Sequence, residues 1–102
     1  MTINVRVERV ATAVVVVPTG EVDMTRADEL RDTLADVISE HPALVVVDLT
    51  EVTFMDVAGL GPIFEAHEKV AQAGGRLRVA HAAPILAKVI DAVGPAGIAD
   101  TD

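Results

Sequence analysis

Phe54-Met55-Asp56-Val57-Ala58-Gly59-Leu60-Gly61 is the stretch around which the chain is organised: an apolar run gives way to an acid and two glycines, and a helical period begins. Glycine costs about 0.5–1 kcal/mol relative to alanine inside a helix, so a pair two apart at a helix entrance signals a close approach to the backbone there. The first N–H groups of a helix have no internal partner and carry positive partial charge. Such an entrance can therefore hold an anion or a docking partner. A side chain at position 58 stands at that mouth, and it is alanine.

Upstream of the mouth, Leu44-Val45-Val46-Val47-Asp48-Leu49 is an apolar, β-branched run, as expected of a buried strand, followed by a turn-like link over residues 50–53. Ala13-Val14-Val15-Val16-Val17 has the same character and suits a strand covered on both sides. Residues 3–10 alternate instead, Ile3, Val5 and Val7 against Asn4, Arg6 and Glu8, which predicts a half-buried strand folding back through Ala11-Thr12 as an antiparallel hairpin. Pro18-Thr19-Gly20 ends the second strand, and Glu21-Val22-Asp23 follows as a short extended segment that brings two acids to the end of the sheet. Thr25 and Asp28 have capping-box spacing, and Ala27, Leu30, Leu34, Val37 and Ile38 recur at helical period up to His41-Pro42.

Downstream, Leu60, Ile63, Phe64, Val70 and Ala71 predict a second amphipathic helix capped by Gly74-Gly75. Pro62 either draws its regular start toward residues 59–61 or kinks its first turn. Arg76-Leu77-Arg78-Val79-Ala80 reads as a third parallel strand. Pro84 opens a helix whose Ile85, Leu86, Val89, Ile90 and Val93 face inward, and Gly97-Ile98-Ala99 adds a short edge segment. Strands alternating with helices predict an α/β fold: one domain over residues 1–102, with a small mixed sheet and about three to four helices. The sheet starts with the N-terminal antiparallel hairpin and continues with parallel strands. Sites in such sheets gather beyond the carboxyl ends of the parallel strands, so the turns at Gly20–Asp23 and Asp56–Gly61 are expected side by side.

A formal net charge of −8, with two phenylalanines and neither tryptophan nor tyrosine, argues against a nucleic-acid reader, which needs a basic stripe and stacking rings. Anionic membrane surfaces are disfavoured for the same reason. Without cysteine there is no disulfide framework and no thiolate nucleophile. The chain shows neither a leader nor an apolar run long enough to span a bilayer, and the expected compartment is the cytoplasm.

The mouth resembles the signature of the STAS domain family, the anti-sigma factor antagonists and their relatives, in which Asp-Ser-Ser/Thr-Gly-Leu-Gly opens the second helix; here the residues are Asp56-Val57-Ala58-Gly59-Leu60-Gly61. Gly20-Glu21-Val22-Asp23 is similar to that family's Gly-x-Leu/Ile-Asp, and the strand from Leu44 to Leu49 leads into the signature as it does there. The resemblance implies a bacterial regulatory module without catalysis or cofactor, binding an anti-sigma factor or serine kinase-like partner in sigma factor partner switching. Its partner-binding residues would be Glu21, Asp23, Asp56, Val57, Ala58, Gly59, Leu60 and Gly61. It also implies that the position phosphorylated by the partner kinase is Ala58, which has no oxygen to accept phosphate. A phosphate there would add about −1.5 to −2 charges next to Asp56 and repel a docked partner, so the family's off switch is missing at its usual place. Val57 offers no replacement, and Thr53 is the nearest other hydroxyl. The resemblance leaves a second role open, that of a cytosolic subunit docking on the ATPase subunit of a lipid or anion transporter.

Read on their own terms, Asp23 and Asp56 admit an acid–base pair. They lie in no hydrolase motif, however, and the mouth has no nucleophile. His41, His67 and His81 are scattered, His67-Glu68 lacks the second histidine of a zinc helix, and no glycine-rich phosphate loop with its lysine is present. Asp56 is equally an N-cap, and Gly59 and Gly61 equally allow a helix to pack tightly on a sheet.

Overall fold

A ten-residue strand holds the sheet together by serving neighbours on both its edges. The computed structural model describes residues 4–99; Ile3 lies outside them. β1 (Asn4–Val10) and β2 (Ala13–Val22) form the expected antiparallel hairpin, with Val10 opposite Ala13. On its other edge β2 pairs twice. Its first half, Ala13 to Val16, runs parallel to β3 (Leu44–Asp48), and its last residues, Gly20 to Val22, run parallel to β4 (Val52–Met55) after a register shift at Gly20/Glu21. β5 (Arg76–Ala80) lies on the far side of β3, also parallel.

Two sequence expectations are corrected here. The second strand does not end at Pro18, and residues 52–53 are strand rather than link. Pro18 is tolerated because residues 17–19 fall between the two parallel pairings, where β2 has no neighbour on that edge to receive an N–H. The link itself is tied back to the strand, Gly20 N–H donating to the Glu51 carbonyl at 3.0 Å.

Register partners share a face, and Val14, Val16, Val45, Val47, Leu77 and Val79 turn to one face and are buried with the helix residues Leu30, Leu34, Val37, Leu60, Ile63 and Val70. On the opposite face Val15 and Val46 remain half-buried while Val17 is buried, so these β-branched runs are fully covered on one side and only partly on the other. The pattern could not show this, because β-branched residues suit a half-exposed strand equally well.

α1 (Ala27–Ile38) buries Ala27, Leu30, Leu34 and Val37. The expected capping box is absent: Arg26 takes the N-cap position without a side-chain bond, and the Thr25 hydroxyl donates backward to Asp23 at 2.7 Å while Asp28 pairs with Arg31. α2 (Val57–Gln72) starts at the mouth, so Pro62 neither delays the helix nor falls among its orphan N–H groups; it sits at the sixth helical position, buried. Its missing N–H leaves the Ala58 carbonyl without the usual i→i−4 donor. The ring instead lies beside Leu34, Ala35 and Ile38 of α1. At the other end Gly74 takes a left-handed φ of 89°, the Gly75 N–H bonds the Val70 carbonyl at 2.9 Å and the Gly74 N–H bonds that of Ala71 at 3.1 Å, closing the helix as its glycine pair predicts.

α3 (Pro84–Val93) departs from its expected inward face. Ile90 alone is buried on it, whereas Ile85 and Val93 are 78% and 62% exposed. The segment after it does reach the sheet, Val79 N–H donating to the Ile98 carbonyl at 2.8 Å with Ala99 bridged to Val79. Among the described residues no helix is long and apolar enough to cross a membrane.

Candidate functional site

β2 and β4 end together, and that pairing builds the site. Glu21 lies opposite Phe54 and Val22 opposite Met55, and the Asp56 N–H reaches the Val22 carbonyl at 3.4 Å. The turn carrying Glu21 and Asp23 is thereby joined to the start of α2, as the sequence predicts. Three carboxylates gather at this edge: Glu21 exposed, Asp23 and Asp56 half-exposed.

Each of the two aspartates organises its own turn. Asp56 has extended backbone at the N-cap, and its carboxylate accepts the Gly59 N–H at 3.2 Å, while the Asp56 carbonyl accepts the same N–H at 3.0 Å. Asp23 accepts both the Thr25 hydroxyl, at 2.7 Å, and the Thr25 N–H, at 3.1 Å, and faces Arg26 at 3.7 Å. The Thr25 hydroxyl bond holds the Asp23 carboxyl below the usual carboxylate range against a desolvation penalty, with the Thr25 N–H and the Arg26 charge adding to it. Asp23 is thus an ionised, bonded acceptor rather than the protonated member of an acid–base pair. Asp48, at the end of β3, repeats the arrangement with Thr50, its hydroxyl at 2.6 Å and its N–H at 3.0 Å. Burial pushes Asp48 up, but these bonds, His81 and Arg6 together outweigh it and leave it below its ordinary value.

The entrance of α2 divides its residues between the interior and the surface. Leu60 is 1% exposed and belongs to the core, so it supports the mouth from beneath instead of standing in it. Gly59 is buried, and a Cβ placed on it would lie 2.6 Å from the Val22 carbonyl oxygen. The close approach signalled by this glycine is made by the chain's own β2. Gly61 differs: a Cβ there would meet nothing within 4 Å. Val57 is 71% exposed, Ala58 and Gly61 are partly exposed, and the three share a helix face at spacings of three and four.

Two neighbours escaped the sequence reading. Met24, 76% exposed, and Phe54, 51% exposed, add large apolar side chains to the same edge. Four residues with a register shift opposite Gly20/Glu21 show no alternation, so nothing in the sequence marked Phe54 as exposed. Among the described residues no group of three or more His, Asp or Glu side chains is placed to hold a metal ion.

With this geometry in view, the sequence profile of the STAS domain matches residues 4–99. The anti-sigma-B factor antagonist of Bacillus subtilis (strain 168) is 31% identical over 100 residues, covering 98% of this chain and 91% of that protein. The anti-sigma-F factor antagonist RsfB of Mycobacterium tuberculosis is 32% identical over 53 residues, 52% of this chain and 43% of that protein's length. A crystal structure of an anti-sigma factor antagonist from Mycobacterium paratuberculosis superposes with a TM-score of 0.77 at 28% identity, covering 92% of this chain and 84% of that one. The Bacillus cell fate determinant SpoIIAA in its phosphorylated form has the same fold, with a TM-score of 0.78 at 20% identity over 95% of this chain and 89% of that one.

Proposed function

This chain belongs to the STAS domain family, and from that premise we propose that it is an anti-sigma factor antagonist, a non-catalytic cytoplasmic regulator that binds an anti-sigma factor of the serine-kinase type through the entrance of α2. The observation that carries the reading is the exposed strip Val57, Ala58 and Gly61, ringed by Glu21, Asp23 and Asp56, on the scaffold of this family. Small side chains let a partner come close, the exposed valine gives it an apolar anchor, and the acids steer a basic surface toward it. Gly59 and Leu60 act from below by fixing the height of the strip over β2.

In this reading Ala58 sets the regulation. A relative in this fold class is known in a phosphorylated form, and at position 58 this chain has only a methyl group. The antagonist is then permanently competent at this position, and its activity follows from how much of it is present.

Isothermal titration against the purified anti-sigma factor of the source organism tests the proposal. Binding is expected, and Val57→Asp should weaken it by about tenfold or more without changing the fold, since that side chain stands in solvent. Absence of binding, or indifference to Val57→Asp, would overturn the reading. A second measurement addresses the switch: incubation of wild type and Ala58→Ser with the partner and ATP, followed by intact mass. Phosphate on the variant alone is the expected outcome, and phosphate on the wild type would place the acceptor elsewhere, with Thr53 the first residue to examine.

A further inference from the structure

Beside the mouth, β4 and α3 enclose a groove of about 410 Å³. Leu49 forms its floor, Phe54 and Met55 one wall, and Ile85, Leu86 and Val89 the other. Phe54 and Ile85 remain 51% and 78% exposed at its lips. An apolar helix face left open beside a partly exposed phenylalanine is unusual in a chain whose other helices bury their stripes, because exposed contiguous apolar surface marks an interaction site. Of the six large apolar side chains exposed among the described residues, four, Met24, Phe54, Val57 and Ile85, lie along this one edge of the molecule.

We propose that the groove between β4 and α3 is a second anchor for the protein partner of the mouth, and that it receives one face of an amphipathic helix with aliphatic residues inward and lysine or arginine at the flanks. The inference rests on the partner-binding reading of the α2 entrance and extends it. Continuity is the first argument. Phe54 and Met55 wall the groove and the next two residues, Asp56 and Val57, form the mouth, so a partner seated on one overlaps the other. Charge is the second. Glu21 lies opposite Phe54 in the β2–β4 ladder, and Asp23 and Asp56 follow on the same edge of a chain with net charge −8. A second copy of this chain would bring like charges together there, and an anionic lipid surface would be repelled in the same way. The groove's own lining holds no carboxylate and one titratable side chain, His81, so a basic amphipathic helix places its apolar face between the walls and its basic flank on the acids of the adjoining mouth. On α3 only Ile90 is fully buried, and Leu86 and Val89 pack half-buried against the core, so the groove can widen around an inserted side chain by moving those two.

The experiment uses the full chain labelled with nitrogen-15 and two short helical probe peptides, one of leucine and lysine and one of leucine and glutamate in the same pattern. Amide shifts at Phe54, Met55, Ile85, Leu86 and Val89 with the lysine peptide, absent with the glutamate peptide and lost in Ile85→Asp, would support the proposal. Equal response to both peptides, no response, shifts confined to a separate recess lined by Phe64, His67, Val93 and Pro95, or indifference to Ile85→Asp would overturn it. Ile85 stands in solvent, so the variant keeps its fold, and an unchanged thermal midpoint confirms that. The peptides do not involve the anti-sigma factor: groove binding without anti-sigma factor binding would refute the proposed function alone. Anti-sigma factor binding that Val57→Asp weakens and Ile85→Asp leaves untouched would refute the second anchor alone.

Discussion

Gly59 and Gly61 are indistinguishable in the sequence, two glycines astride a leucine, yet the structure gives them opposite reasons. At Gly59 a methyl group would press on the Val22 carbonyl oxygen at 2.6 Å and on side-chain atoms of Met55 and Val22 at 3.0 Å, so either α2 must lift from β2 or the turn must distort. Gly59→Ala should therefore destabilise the fold by about 1–3 kcal/mol, the usual range for overpacking, seen as a lower urea midpoint. At Gly61 the space is open, and nothing within the chain requires glycine. Replacing it by alanine removes a helix penalty and should stabilise the protein by about 0.5–1 kcal/mol. If a partner's backbone uses that space, the same variant binds the anti-sigma factor more weakly; a stabilised variant that binds equally well would remove Gly61 from the interface. The sequence could mark both positions as close approaches, but which body does the approaching is decided by β2's path, and that depends on long-range pairing.

Among the elements, α2 and α3 are both apolar-patterned helices, and periodicity assigned each an inward face. It succeeded for α2 at Leu60, Ile63 and Val70, which are buried because α1 and the sheet both pack on them, while Phe64 is half-buried and Ala71 is exposed. It overshot for α3, where Ile90 alone is buried among the five aliphatic positions that share the pattern. A hydrophobic period shows which side a helix would bury but not whether the rest of the chain supplies the surface to bury it against. The same limit explains the missed β4: residues 52–55 are too short to show a period, and their strand character comes from the C-terminal end of β2, which the proline had seemed to close. What was legible were the junctions. The hairpin and the glycine cap at Gly74 have chemistry local to a few residues, whereas the meeting of the Glu21–Asp23 turn with Asp56 and the edge segment at Ile98–Ala99 are long-range junctions that the alternation of strands and helices implied. The difference in burial predicts a difference in dynamics: amides in the centre of α3 should exchange with deuterium before those in the centre of α2, because opening a helix with one fully buried side chain and the half-buried Leu86 and Val89 exposes less apolar surface than opening α2. Equal protection across both helices would contradict this and, with it, the ease with which the groove is expected to widen.

At the scale of the whole molecule, sixteen acids against eight lysines and arginines leave a surface whose self-repulsion at neutral pH opposes folding. Part of it is offset by arginines that tie separate elements together: Arg6 of β1 to Glu51 after β3, Arg9 of β1 to Glu40 after α1, and Arg31 of α1 to Glu65 of α2. Hydrogen bonding by these arginines holds the Glu51, Glu40 and Glu65 carboxyls below their ordinary values, as the Thr25 hydroxyl does for Asp23. In the unfolded chain each returns to the ordinary carboxylate range. The folded state therefore binds protons more weakly at these groups, so their stabilisation is fully present above the unfolded values and is lost as pH falls through the folded ones. All are solvent-exposed pairs of small individual effect, and the decline should be gradual. Urea midpoints measured against pH are expected to hold from neutrality to about pH 5 and to fall below about pH 4, where unfolded carboxylates take up protons first. Arg9→Ala should make that fall shallower, because it releases Glu40, and added salt should act in the same direction by screening the exposed pairs. A midpoint that stays level or rises on acidification would show that relief of the general negative charge outweighs the loss of these ties, and that the fold is held by its aliphatic core with no net help from its surface pairs.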